Sequence, residues 1–201
     1  NQVLFTIAES TCSQVPIVDL LSDTTYLCLT DTLSLDAGNP GLFYFWSGGE
    51  NTQTIKLTTE GQYHIAVRDA NGCVGYDTIQ VISKPYPLVD FDVDFVCQND
   101  TTLFTNNSTI SADTMAFHWD FGMTTIETDT TDEAEPNYLY DTTGVYTVKL
   151  TATSDYACVT SNQETYVVHP LPELAFTITD ECLNATSLFT NTSTILASQG
   201  A

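Results

Sequence analysis

The densest group of potential ligands in the sequence is Glu127-Thr128-Asp129-Thr130-Thr131-Asp132-Glu133-Ala134-Glu135. Hard cations such as calcium take about six to eight oxygen ligands, and carboxylates gathered in one loop can supply them. Asp129, Asp132, Glu133 and Glu135 are therefore a candidate calcium set, and calcium is the one cofactor the residues suggest. The spacing is not that of an EF-hand loop, and the run has no glycine for a sharp turn, so a solvated acidic loop is the alternative reading. Just upstream, Phe117-His118-Trp119-Asp120-Phe121-Gly122 puts an imidazole, an indole and a carboxylate side by side. His64, His118 and His169 are too scattered for a metal triad. The sequence contains no GxSxG, no HExxH and no Gly-rich phosphate loop, and no two carboxylates stand out as an acid and base pair. The expectation is a protein without catalytic residues.

Six cysteines stand at positions 12, 28, 73, 97, 158 and 182. None forms a close CxxC pair, which argues against a zinc ribbon or a redox motif. Wide spacing in a chain rich in strand-forming residues favours disulfides and an oxidising, extracellular setting. Only Lys56, Arg68, Lys84 and Lys149 oppose 26 acidic residues, giving a formal charge of −22. A field of that sign repels phosphate backbones and anionic headgroups, so nucleic acid is not an expected partner. No apolar run reaches the roughly 18–20 residues of a membrane span, so direct membrane insertion is not expected either. The charge suits solubility, divalent cations or a basic partner.

The elements that would position these residues read as short strands. Around Trp119 apolar and polar residues alternate until Gly122, and Tyr146, Val148, Leu150 and Ala152 alternate after Gly144. Period-2 alternation bounded by Gly and Pro marks half-buried antiparallel strands. Tyr44-Phe45-Trp46-Ser47-Gly48-Gly49 matches the first stretch, and Gly61-Gln62-Tyr63-His64-Ile65-Ala66-Val67 matches the second. Phe91 and Cys97 recur 85 positions on as Phe176 and Cys182, and Leu103-Phe104-Thr105-Asn106 recurs as Leu188-Phe189-Thr190-Asn191. A fixed period means an array, here with a domain-sized repeat. About seven short strands per unit, with turn residues every ten or so positions, predicts two-sheet sandwiches.

The expected organisation is all-β, in tandem, elongated, with partial domains at both ends. Residues 1–21 are read as the last strands of a preceding domain, because Phe5-Thr6-Ile7-Ala8, Cys12 and Val15 to Leu20 resemble the end of the later unit. Residues 22–84 form a first complete sandwich and 85–169 a second. Residues 170–201 begin a third, and proline-bearing joints at Pro85-Tyr86-Pro87 and His169-Pro170-Leu171-Pro172 separate the units. The chain is expected to be a segment of a longer mature protein. Each complete unit holds one early and one late cysteine, so the simplest pairings are Cys28 with Cys73 and Cys97 with Cys158. Cys12 and Cys182 are then left unpaired within the segment, and buried free thiols are the alternative. Trp46 and Trp119 are expected in the cores, with an exposed sugar-stacking platform as the rival reading. Tyr63 and Tyr146 are expected to pack with their hydroxyls bonded to backbone.

Phe117-His118-Trp119-Asp120-Phe121-Gly122, followed by Glu135-Pro136-Asn137-Tyr138-Leu139-Tyr140 and Gly144-Val145-Tyr146-Thr147-Val148-Lys149-Leu150, resembles the PKD (polycystic kidney disease) domain, whose usual pattern is WDFGDG, NPxHxY and GxYxVxL. The chain departs from it at Met123-Thr124, where the family usually has Asp-Gly, and at Tyr138, often His. Residues 22–84 look like a related Ig-like unit. The combination resembles giant modular surface proteins of the Bacteroidota, exported by the type IX secretion system and including gliding adhesins. That resemblance implies an extracellular, cell-surface location. It also makes Thr24, Thr32, Thr78, Thr101, Thr114, Thr130 and Thr142, each preceded by Asp, candidate O-glycosylation acceptors.

Three functional expectations follow. The first is a non-catalytic structural or adhesive stalk segment. The second is an accessory spacer or carbohydrate-binding module of a secreted hydrolase or protease, which an exposed aromatic row on one sheet face would favour. The third is a subunit of a self-assembling extracellular filament. Expected partners are neighbouring domains of the same long chain, other copies of it, or a surface polysaccharide or protein ligand.

Overall fold

Strand alternation sorts the side chains into core and surface along the strands that build the two cores. The computed structural model describes residues 12–20, 22–94, 97–123, 129–179 and 186–195, and the described residues are all-β. The chain divides between Pro85 and Tyr86 into two units.

The first unit holds β1 (Thr24–Cys28), β2 (Leu33–Asp36), β3 (Phe43–Trp46), β4 (Thr54–Leu57), β5 (Gly61–Arg68) and β6 (Val74–Lys84). One sheet runs β1-β6-β5-β3, and the other pairs β2 with β4. Strand β1 is parallel to β6, whereas β3 and β6 flank β5 antiparallel. The inward residues are Leu27, Leu35, Tyr44, Trp46, Ile55, Leu57, Ile65, Val67, Ile79 and Val81, all in one buried cluster. Between β5 and β6 the Asp69 carboxylate accepts the backbone N–H of Asn71 and of Cys73, and Gly72 takes φ +89° at the tip. An Asx-type bond with glycine at positive φ is the chemistry expected of an Asn-Gly hairpin.

Residues 12–20 are part of this unit, not the tail of a preceding one. Leu20 is buried in the same core cluster, and Val18 packs against it. The Leu20 N–H donates to the Asp77 carboxylate at 2.6 Å, and Asn39 Nδ2 donates to the Ile17 carbonyl at 2.7 Å. Gly75 of β6 leaves space for this segment: a Cβ there would overlap the Pro16 carbonyl oxygen and lie 3.2 Å from Val18 Cγ2. Leu20 and Val18 of this run therefore find their burial in the unit that follows them in sequence, while Val15 and Ile17 stay exposed. Residues 1–11 lie outside the described residues.

The second unit holds β7 (Phe91–Val93), β8 (Thr101–Asn106), β9 (Met115–Asp120), β10 (Thr130–Thr131), β11 (Asn137–Leu139), β12 (Gly144–Ser154) and β13 (Val159–Val168). Its sheets run β10-β9-β12-β13 and β11-β8-β7. Trp119 has no exposed surface and lies 5.1 Å from Phe91 and 5.5 Å from Phe104 between ring centroids. The chain of rings continues through Phe121 and Tyr138 to Tyr140 and Tyr146. Edge-to-face and offset pairs of this kind add roughly 0.5–1.5 kcal/mol each beyond burial.

Beyond Pro172 the repeat is structural as well as sequential. Strand β14 (Phe176–Ile178) pairs antiparallel with β15 (Phe189–Asn191), matching Phe176 to Asn191 as β7 and β8 match Phe91 to Asn106. The bridge Leu88 to Thr109 returns as Glu173 to Thr194. Ser108 bonds both polar backbone groups of Asp90, and Ser193 does the same for Ala175. What differs is cover. Phe91 and Phe104 are 2% and 3% exposed, whereas Phe176 and Phe189 are 68% and 64% exposed.

Candidate functional site

The two tryptophans are framework, as their spacing predicts. Trp46 Nε1 donates to the Thr52 carbonyl at 2.9 Å, and Trp119 Nε1 donates to the Glu133 carbonyl at 3.1 Å. Both indoles are buried with their one polar atom satisfied. Tyr63 and Tyr146 form matching corners. Each hydroxyl donates at 3.0 Å to the backbone carbonyl four residues upstream, Thr59 or Thr142, and sits beside that threonine's Oγ1. A tyrosine locking the turn before its own strand is the tyrosine corner of Ig-like sandwiches.

The candidate calcium set does not assemble. Asp129 is buried, with its carboxylate accepting the Met123 N–H and its carbonyl accepting the Phe121 N–H. Asp132 turns outward to His118 Nδ1 at 2.7 Å. Glu133 contributes its backbone carbonyl to Trp119, and Glu133 and Glu135 are exposed. The physical reason is that Thr130 and Thr131 pair as an edge strand against Asp120 and Trp119, and a strand sends successive side chains to opposite faces. Among the described residues no group of three or more His, Cys, Asp or Glu could hold a metal ion. Asp129 does line a shallow recess with Asp120, Met123, Thr147 and Lys149, where the lysine offsets one acidic charge.

The cysteine pairings expected from sequence are corrected. Cys73 is bonded to Cys12, with the Cα atoms 5.5 Å apart, and not to Cys28. Cys97 is a free thiol, so it is not bonded to Cys158. Cys28 and Cys158 are themselves disulfide-bonded, and Cys182 lies outside the described residues. Parallel pairing of the early strand explains both corrections. Cys28 pairs in register with Lys84 at the end of β6, whereas Cys73 precedes the start of that strand. At roughly 3.3 Å per residue the length of β6 holds them about 30 Å apart. In the second unit Cys97 bridges His169 after the end of β13, and Cys158 precedes that strand's start. An early and a late cysteine on one unit therefore sit at opposite ends of its last strand.

Of the candidate acceptor threonines, Thr24, Thr32, Thr101, Thr114, Thr130 and Thr142 are exposed, and Thr78 is half-buried. Three hydroxyls are already engaged: Thr78 with His64 Nδ1 at 2.8 Å, Thr114 with the Asp155 carboxylate, and Thr142 with Tyr146.

One group was not anticipated. Phe43 and Phe45 are about half exposed and Tyr76 is 73% exposed, all on the outer face of the four-stranded sheet of the first unit. Arg68 lies over both phenylalanine rings, 5.5 and 5.3 Å from their centroids. The signal was in Phe43-Tyr44-Phe45-Trp46, aromatic at every position. In a strand one alternate pair must face outward whichever pair faces the core.

Residues 84–169 match the PKD domain family. The PKD1 domain of Vibrio anguillarum Epp is similar at 25% identity over 41% of this chain and 93% of its own, with a TM-score of 0.37. The PKD1 domain of the Vibrio cholerae metalloprotease PrtV is similar at 28% identity over 41% of this chain and 96% of its own, also with a TM-score of 0.37. The N-terminal eight Ig domains of Down Syndrome Cell Adhesion Molecule (DSCAM) isoform 1.30.30 align over 78% of this chain and 24% of that one, at 10% identity and a TM-score of 0.50, a likeness of fold alone. No curated protein sequence matches the chain. Residues 84–169 thus resemble a PKD domain, within an all-β chain of Ig-like sandwich units that carries a disulfide bond. Such domains are typical of extracellular structural or adhesive modules.

Proposed function

We propose that this chain is a non-catalytic, load-bearing and adhesive segment of a longer extracellular array, of the kind found on Bacteroidota-type cell-surface adhesins. The observation that carries the reading is the repeat of one strand register at an 85-residue period, from the β7–β8 pair to the β14–β15 pair. Domain-sized repeats strung on one chain serve to span distance, and each sandwich here buries its own separate core. The Cys12–Cys73 bond supports the mechanical side, because it closes 61 residues of the first unit into a loop that tension on the chain ends cannot fully draw out. The motif resemblance and the exposed Asp-Thr sites favour type IX export with glycans on the surface.

Single-molecule pulling tests the proposal. The chain, held by handles at both ends, should give two discrete unfolding events, one per sandwich. Extension at low force without discrete events would refute the load-bearing role.

A filament-forming version finds support in the apolar face of β14 and β15, where Phe176, Ile178 and Phe189 are all exposed. Concentration-dependent assembly, followed by light scattering and lost on Phe176→Ser, is its test.

A further inference from the structure

The outer face of the first unit's four-stranded sheet carries its aromatic residues in register. Phe45 of β3, Ala66 of β5 and Tyr76 of β6 face one another across three adjacent strands. Neighbouring strands lie about 4.8 Å apart, so the two rings stand roughly 10 Å apart with a methyl group between them. The result is a recess of about 260 Å³, walled by Phe45 and Tyr76 and floored by Ala66. That width admits one six-membered ring.

The recess is polar at one end, and Arg68 stands outside its lining, beyond the opposite end. The next row along the strands places His64 beside Thr78, with Ser47 across from it. His64 Nδ1 meets Thr78 Oγ1 at 2.8 Å, which leaves Nε2 without a partner among the described residues. The Ser47 hydroxyl oxygen accepts the His64 backbone N–H at 3.2 Å, so its proton is free to donate. In the other direction Arg68 follows Ala66 by two residues, one same-face step of about 6.6 Å along β5. Its guanidinium sits over Phe43 and Phe45 and forms no ion pair or hydrogen bond among the described residues, although the chain carries 26 acids. Stacking occupies the flat face of a guanidinium and leaves its N–H edge open to a carboxylate.

We propose that this face binds a glycan bearing an isolated uronic acid, with the sugar ring held between Phe45 and Tyr76 and its carboxylate on the edge of Arg68. A pyranose offers apolar C–H faces for the rings, hydroxyls for Ser47 and His64, and a carboxylate about one ring's width away for Arg68. Charge complementarity selects the charged form of the ligand, because Arg68 is a cation on this face with no ion-pair partner among the described residues. The overall charge of −22 selects against a densely charged polymer, whose carboxylates would meet a repulsive field. The assignment deepens the adhesive reading by naming the class of ligand, and it is independent of the stalk mechanics that pulling measures.

The test is titration of the whole disulfide-bonded chain with three sugars: glucuronosyl-xylotriose, neutral xylotetraose and tetragalacturonate. Binding is followed by calorimetry and by chemical shifts of the Phe45 and Tyr76 rings. Glucuronosyl-xylotriose should bind most tightly. Tyr76→Ala should weaken it about tenfold, the usual loss on removing an exposed stacking ring. Arg68→Gln should lower its affinity to that of xylotetraose without moving xylotetraose itself. Both side chains lie outside the core, so the thermal unfolding of these variants should match the parent. Absence of ring shifts with all three sugars would overturn the proposal. So would an acidic-sugar preference that survives Arg68→Gln, tightest binding of tetragalacturonate, or displacement of the sugar by a proline-rich peptide.

Discussion

Gly75→Ala is the substitution that most directly tests where the first unit begins. Gly75 is buried in β6, and an added Cβ would overlap the Pro16 carbonyl and come 3.2 Å from Val18. A backbone oxygen cannot rotate away as a side chain can, so the 12–20 segment must lift. Lifting exposes Leu20, now 2% exposed, at a cost of about 1.5–3 kcal/mol. It also breaks the Leu20 N–H bond to the Asp77 carboxylate, which contributes roughly 1.5–3 kcal/mol as a bond to a charged acceptor. The expected loss is ~3–5 kcal/mol after partial relaxation, with the Cys12–Cys73 bond still tethering one end of the segment. For a unit of this size that is a fall in Tm of about 15–30 °C. Thermal unfolding followed by circular dichroism measures the loss, and hydrogen exchange at residues 12–20 locates it. Gly72→Ala is the control: it sits at φ +89° with nothing within 4 Å of a new Cβ, so it carries only left-handed backbone strain of about 1–2 kcal/mol. If Gly75→Ala melts with the parent and 12–20 keep their protection, the segment does not belong to this unit and the reasoning fails.

Other outcomes are as definite. Gly122→Ala should destabilise the second unit by more than about 3 kcal/mol and leave the first unchanged, because at φ +79° its Cβ would press on the Thr147 backbone at 2.5 Å from O and 2.9 Å from N; separate melting of the two units measures this. Non-reducing peptide mapping should link Cys12 to Cys73 and find Cys97 alkylated without prior reduction. Replacing Cys12 and Cys73 by Ser should cost the first unit about 4 kcal/mol for a loop of 61 residues. Burial chiefly raises the phenols of Tyr140, Tyr166 and Tyr138 above their ordinary value of 10.0. The fold thus favours the neutral form, so that stabilisation is intact below about pH 10 and is lost as pH climbs toward the raised values. An alkaline titration should show phenolate absorbance from these residues arriving together with unfolding of the second unit.

Alternation and period, which local chemistry sets, were legible in the sequence alone. Period-2 patterning with turn residues at fixed intervals could only be buried by sheets, so the all-β sandwiches, the core positions of Trp46 and Trp119, and the corners at Tyr63 and Tyr146 follow from residue types and spacing. The 85-residue repeat was equally plain, and it reappears bond for bond in the β14–β15 pair. Pairing across space was not legible. Which cysteine meets which depends on β1 running parallel to β6, and nothing in the local sequence states a strand's direction. The membership of residues 12–20 turned on the absence of a side chain at Gly75, a steric fact that exists only once two segments are brought together. Among the described residues the acidic side chains do not converge, because Thr130 and Thr131 pair as an edge strand, Asp129 turns inward and Asp132 outward. The aromatic face of the first unit lay half in view: Phe43-Tyr44-Phe45-Trp46 required two exposed rings, but Arg68 and Tyr76 joined them only through the register of β3, β5 and β6. Side-chain alternation is a property of one strand, and register is a property of two.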